Sequence, residues 1–395
     1  MPKQNQYYLP TSKRAYTLNK LNIKNKGLST ILVSALLSMG AAHADTKVTV
    51  ISQAGFDTNP YRFNDQYAID SAAFTSINIK GKTTVNKYWS IKAGANYQWY
   101  NDNKKWANNS LLDLAVGYKK GGYYNEVGGT ANIKSYDKTY VSRLQGSTDS
   151  YSGVSLDDRY DFKQFAISAY KSMKITKGIK NTFKINYKHK NYSDFDQINI
   201  TDYDHQSIRI HDEIAFRTSK KVHQTIKLAY ELRPFINREK KNITGDEISN
   251  TNMIFNYYSA GYEYKIASKK SISWKMTADY KIRQDNASGY YNSQWANLGL
   301  TSKFKIGTQV KMRLSYDFSQ FAYDRTPEVA VISNEEEYVD ESKHSVTVES
   351  KIRLPNILDQ RTYLEIDYQL TQADSNRSSY QYERQTVMTG IKVIF

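Results

Sequence analysis

The densest run of groups able to do chemistry is Asp204-His205-Gln206-Ser207-Ile208-Arg209-Ile210-His211-Asp212-Glu213. Along an extended strand successive side chains point to opposite faces, so His205, Ser207, Arg209, His211 and Glu213 share one face. Two imidazoles, a hydroxyl and a carboxylate on one face are the groups of a metal site or of acid–base work. Neighbouring segments carry the same kind of polar stripe, however, so the expectation is a polar wall and not a catalytic constellation. The chain has no Cys, which excludes thiolate ligands and thiolate nucleophiles. It shows no Gly-rich phosphate loop, zinc spacing or nucleotide fingerprint. No enzyme activity, metal, cofactor or nucleic-acid partner is expected.

A second set of chemical groups is larger. Lys184, Lys188, Arg209, Lys227, Arg233, Lys275, Lys281, Arg283, Lys311, Arg313, Lys351 and Arg353 all fall on the polar faces of alternating segments. Glu213, Glu231, Asp279, Asp317, Glu349, Glu365 and Asp367 are interleaved with them. Two arrangements fit: a basic stripe that lowers the barrier for anions, or a salt-bridge lattice that stiffens a wall. Tyr on the same faces adds flat rings on which sugars can stack. A separate acidic run, Asn334 to Glu341, reads as a solvated loop that can also take divalent cations.

The elements that must position these groups are strands. Ser271 to Arg283 puts Ile272, Trp274, Met276, Ala278, Tyr280 and Ile282 on one face and Ser273, Lys275, Thr277, Asp279, Lys281 and Arg283 on the other. The same period of two runs through Trp89–Trp99, Phe183–Lys188, Val222–Arg233, Val310–Ser319 and Val346–Leu354. A soluble sandwich also alternates, but these strands run about 10–14 residues, which suits tilted membrane spans better than globular sheets. Of the 395 residues 34 are Tyr and only 6 are Pro, and the mean hydropathy is −0.69. Aromatic residues gather near strand ends, at Trp89, Tyr97/Trp99/Tyr100, Tyr123/Tyr124, Tyr257/Tyr258 and Tyr290/Tyr291, which reads as an interfacial girdle. Short turns (Gly81 to Asn86, Ser219 to Lys221, Ala267 to Lys270, Lys303 to Thr308, the Pro355 region) alternate with long connections (192–203, 234–249, 323–342, 373–381). One weak segment, Tyr140 to Leu144, breaks that alternation and is assigned to a long outer loop. The fold class is therefore all-β, a transmembrane antiparallel up-and-down β-barrel of about 16 strands. A barrel of this size encloses an aqueous channel unless side chains or infolded loops narrow it.

Both ends of the chain fit that class. Lys20, Lys24 and Lys26 precede an apolar run from Gly27 to Met39, and Ala42-His43-Ala44 supplies the small residues a signal peptidase reads. Residues 1–44 are expected to be a signal peptide cleaved after Ala44, with residues 45–395 forming the barrel. Six of the 55 Lys and Arg residues lie in that leader, leaving 49 basic against 39 acidic residues. At the other end Val387, Ile391, Val393 and Phe395 share a face, with Gly390 nearby. Gly390, Ile391, Val393 and Phe395 resemble the C-terminal signature of outer-membrane barrels, which implies recognition by the barrel-assembly machinery. Met388 departs from that pattern, which favours a polar residue there.

Residues Gln53 to Asn64 (Gln-Ala-Gly-Phe-Asp-Thr-Asn-Pro-Tyr-Arg-Phe-Asn) resemble the opening of a group of Gram-negative outer-membrane barrels encoded with exopolysaccharide biosynthesis systems. The resemblance covers these residues and the overall architecture, and Pro60 departs from it. Asp57, Asn59 and Arg62 carry over as a structural turn. The resemblance implies an outer-membrane channel that passes or binds a saccharide polymer, anionic by the charge of the lumen, in export or surface assembly. Two other functions fit the residues: a diffusion porin for anionic small solutes or oligosaccharides, and a surface adhesion or structural barrel. The expected partners are outer-membrane lipid and lipopolysaccharide, the barrel-assembly machinery, and anionic saccharide or small anions.

Overall fold

In a computed structural model, residues 46–62, 71–101, 107–122, 124–139, 150–151, 154–155, 158–192, 203–269, 271–323, 340–357 and 359–395 are described. The expected leader, Tyr140 to Leu144 and most of the acidic run before Asp340 lie outside them. Sixteen strands close into one antiparallel barrel, each bonded to its neighbours in chain order. They are β1 (Lys47–Asp57), β2 (Ala72–Thr84), β3 (Trp89–Tyr100), β4 (Asn109–Gly121), β5 (Asn125–Lys138), β6 (Phe162–Thr176), β7 (Ile179–Tyr192), β8 (His205–Arg217), β9 (Val222–Pro234), β10 (Ile254–Lys269), β11 (Ile272–Asp285), β12 (Ser293–Ile306), β13 (Val310–Tyr323), β14 (Glu341–Arg353), β15 (Arg361–Ser375) and β16 (Tyr382–Ile394). Two small hairpins, Lys240–Lys241 with Glu247–Ile248 and Ser150–Tyr151 with Val154–Ser155, stand outside the barrel ladder.

Connections at one end are short, as at 177–178 and 307–309, where Gly307 takes φ +60. That left-handed conformation suits Gly in a tight turn. Connections at the other end, here called the mouth, are longer. Several expected turns prove shorter than read from sequence. Gly81 to Thr84 and Lys303 to Ile306 remain in the ladder, because backbone groups left unpaired at a membrane rim are costly.

One face of every strand is apolar and the other polar, and the curvature shows which is inside. Polar-face side chains converge across more than one strand: Arg283 on β11 reaches the Tyr323 ring on β13. The apolar face diverges and stays open, with Leu228 and Met276 each 55% exposed and Leu298 53%. A continuous belt of this kind is not a water-facing surface; it is the hydrocarbon-facing wall of a membrane barrel. Outward aromatic pairs edge it at both rims, Trp89–Tyr118 and Trp274–Phe304 near the short turns and the stacked Tyr97–Trp99 pair near the mouth.

Other aromatics assigned to the girdle from sequence face the other way. Tyr100, Tyr257, Tyr290 and Tyr291 are buried inside the mouth, where they pack in two inner clusters. Met388 also faces inward, against the Ala72–Phe74–Tyr100 cluster, which accounts for an apolar residue where the terminal signature favours a polar one.

The strands are tilted, so ladder rows climb the wall. One inward row runs Ser90, Gly117, Thr130, Ser168, Asn186, Arg209, Glu231, Tyr257, Arg283, Ser293, Tyr323. It starts beside the short turns on β3 and ends at the mouth on β13.

Closure is between β1 and β16, from Thr49↔Ile394 to Asp57↔Thr386. Phe395 continues the seam through two backbone bonds with Val48. At the mouth end of the seam, Asp57 accepts a bond from its own chain at Asn59 N (3.0 Å), an Asx turn. Asn59 Nδ2 donates to Glu383 O (3.0 Å), and Arg62 N donates to Asn59 O (3.2 Å) with Arg62 at φ 60. The motif that carries the sequence resemblance is therefore engaged in closing the barrel.

Candidate functional site

Register places all twelve basic candidates on the lumen face, and it divides them between two walls of different character. On β13–β16 several cations are paired with acids. Glu365 receives Lys351 at 2.9 Å and Lys392 at 3.2 Å, Arg313 meets Glu349 at 3.2 Å, and Gln53 Nε2 donates to Asp367 at 3.0 Å. Of the four candidates on this wall Arg313 and Lys351 are ion-paired, while Lys311 and Arg353 have no carboxylate within ion-pair distance among the described residues.

The β7–β12 wall is not balanced. Lys184, Lys188, Arg209, Arg233, Lys281 and Arg283 approach the row around Glu231. Arg233 is paired with Glu231 at 2.7 Å. Among the described residues no carboxylate lies within ion-pair distance of Lys184, Lys188, Arg209, Lys281 or Arg283. Lower on the wall charges are shared: Glu263 takes Lys265 at 3.2 Å and Lys227 at 3.9 Å, and Lys275 lies opposite Lys265 in the ladder. Between these levels a recess of about 190 Å³ is lined by Arg209, His211, Lys227, Glu231, Tyr257 and Lys281, among others.

Several cations of this wall, paired and unpaired, lean on aromatic rings. Lys281 Nζ is 4.0 Å from the Tyr257 centroid and 5.0 Å from Trp295. Arg233 lies 4.5 Å from Tyr257, and Arg283 lies 4.9 Å from Phe255. Lys190 Nζ sits 3.6 Å from Phe162 and 4.4 Å from Tyr192. Such contacts add an electrostatic attraction between the cation and the ring quadrupole.

The segment 235–253 folds onto this wall and narrows the mouth. Phe235 and Met253 pack on inward Phe255, Tyr257 and Tyr291. Arg238, only 9% exposed, lies within 6 Å of the Phe235, Phe255, Tyr203 and Tyr291 rings. Sequence reading missed Lys190, Arg238, Phe162, Tyr192 and Trp295. Parity held the signal for Trp295, which alternates with Asn297 and Gly299 on a polar face; the segment around Arg238 has no period to read.

His205, Ser207, Arg209, His211 and Glu213 do share the lumen face. His205 Nδ1 meets Tyr203 O at 2.8 Å and its ring packs on Phe235, while His211 Nε2 is 3.8 Å from Glu213. Six residues of strand separate the imidazoles by about 20 Å, so they do not act on one atom. Among the described residues no group of three or more His, Cys, Asp or Glu side chains is placed to hold a metal.

No protein-family model matches the chain, and no curated protein sequence matches it. Solved structures do. OprB of Pseudomonas putida aligns with a TM-score of 0.51 at 7% identity, over 89% of this chain and 94% of that one. The chain has a porin-like barrel fold. Two weaker likenesses are an anion-selective porin from Comamonas acidovorans, with a TM-score of 0.44 at 10% identity over 89% and 98% of the two chains, and a bacterial polysaccharide outer membrane secretin, with 0.43 at 7% over 90% and 99%. At these identities the likeness extends to the barrel and not to what passes through it.

Proposed function

We propose that this barrel is an outer-membrane diffusion channel that favours anionic solutes. The observation that carries the reading is the unbalanced β7–β12 wall, where Lys184, Lys188, Arg209, Lys281 and Arg283 face the lumen and no carboxylate among the described residues pairs with them. Fixed cations beside a water path lower the barrier for anions and raise it for cations. The β13–β16 wall, where Glu349, Glu365 and Asp367 stand among the cations, adds stiffness and a weaker net field.

The saccharide-export reading rests on residues 53–64, and the polar groups of Asp57 and Asn59 are engaged in the β1–β16 seam. That use leaves the diffusion channel as the better supported of the two. The same proposal assigns residues 1–44 to an export leader, the strand ending at Phe395 to the barrel-assembly machinery, and the rim of the mouth to lipopolysaccharide.

Reversal potentials of the refolded barrel in planar bilayers under a potassium chloride gradient test the reading. Chloride should permeate better than potassium. A cation-selective or non-conducting barrel overturns the proposal.

A further inference from the structure

Three inward aromatic residues form one strip beside the uncompensated cations. Trp295 on β12 stacks toward Phe321 on β13 with centroids 4.9 Å apart, and Phe321 meets Tyr323 at 5.0 Å. All three are half-buried and stand at inward positions of the ladder. Lys281 Nζ lies 5.0 Å from the Trp295 ring, and the Arg283 guanidinium carbon lies 5.3 Å from Trp295 and 5.5 Å from Tyr323. Arg283 Nε donates to Tyr291 O (2.6 Å), and its Nη2 is buried with no hydrogen-bond acceptor.

The chemistry of such a strip is selective. A small inorganic anion uses the cations and ignores the rings. A neutral sugar stacks its C–H face on the rings and leaves the cations without a counter-charge. A pyranose that bears a carboxylate uses both at once, since its flat face covers an indole while the acid group projects from the ring edge toward a neighbouring cation. We infer that the Trp295–Phe321–Tyr323 strip, with Lys281 and Arg283, binds acidic sugar residues of an oligosaccharide. The inference rests on the channel reading and names the solute class for that channel.

Current interruption in planar bilayers tests it. Oligogalacturonate is compared with a maltooligosaccharide of equal length and with oligoglutamate of equal charge. Oligogalacturonate should interrupt the current at about tenfold lower concentration than either. Trp295→Leu and Phe321→Leu should each erase its advantage over oligoglutamate, and Lys281→Gln its advantage over the maltooligosaccharide. Equal block by oligoglutamate, equal block by the maltooligosaccharide, or full retention of the advantage in both aromatic variants overturns the inference. If the barrel does not conduct, the channel reading fails alone. Calorimetric titration of the refolded barrel with the same three probes then decides the site: preferential binding of oligogalacturonate upholds it, and equal or absent binding removes it.

Discussion

The Asp57 carboxylate and the Arg384 guanidinium, 327 residues apart in the chain, form a two-oxygen ion pair across the seam where the barrel closes. Asp57 is fully buried and also accepts the Tyr100 hydroxyl at 2.8 Å and the Asn59 amide. Removing one partner strands the other as a buried charge, which costs about 3–5 kcal/mol. Arg384→Gln and Asp57→Ala should therefore each lower the urea midpoint of the refolded barrel and weaken the heat-modifiable gel shift. Asp57→Asn combined with Arg384→Gln should recover part of the loss. Single variants as stable as the parent would show that the pair is incidental.

Gly390 occupies a second seam position with no room for a side chain. A Cβ there would fall 2.5 Å from Gln53 Cγ and against the Ser52 carbonyl. Overpacking of this kind costs about 1–3 kcal/mol, and here the obstacle is backbone that cannot rotate away. Gly390→Val should reduce the folded fraction after refolding. Gly122→Ala, where no neighbouring atom lies within 4 Å, should match the parent.

The two walls should respond differently to charge. Lys281→Glu places an acid where cations outnumber the one carboxylate among them, Glu231, and the reversal potential should move strongly toward cations. Lys311→Glu alters a wall that already holds Glu349, Glu365 and Asp367, so its shift should be smaller. Equal shifts would mean that the lumen averages its charges and that the division between walls has no electrical consequence.

Asp161 gives the mouth a pH dependence. It lies just outside β6, where burial pushes its carboxyl up to about 7, with Asp137 and Asp158 adding to the rise and the Lys138 amide, 2.7 Å away, opposing it. An Asp in an unfolded chain ionises near about 3.9. The folded state thus holds this proton more tightly, and the stability it contributes is complete below about pH 4 and lost as pH rises through 7. Asp161→Asn should flatten the dependence of the urea midpoint between pH 5 and pH 8. A variant profile that falls as the parent's does would place the sensitivity elsewhere.

Much of this fold is legible in the chain because alternation is a local rule. In Ser271 to Arg283 parity alone assigns each side chain to the correct wall, and the observed strand, Ile272–Asp285, is only displaced at its ends. Residue type is a poorer guide than parity. Tyr257 and Tyr258 look alike as rim aromatics, yet Tyr257 shares parity with Ser259 and Glu263 and turns inward. What no local pattern carries is contact between distant segments. Arg238 finds its ring cage only after β8, β9, β10 and the 286–292 connection have assembled, and Asp57 meets Arg384 only when the first and last strands meet. The balance between cations and acids is equally nonlocal, since it depends on which strands stand side by side.

The oblique row from Ser90 to Tyr323 has a consequence for anything that travels the barrel. Because the row climbs as it turns, Arg209 and Arg283 stand at different depths on neighbouring parts of one wall and do not form a collar. A collar would hold an anion in a single deep trap. A spiral staircase of charges offers successive shallow footholds, so an elongated anion, if the proposed channel passes one, would keep one grip while releasing another and would turn about the axis as it advanced along it.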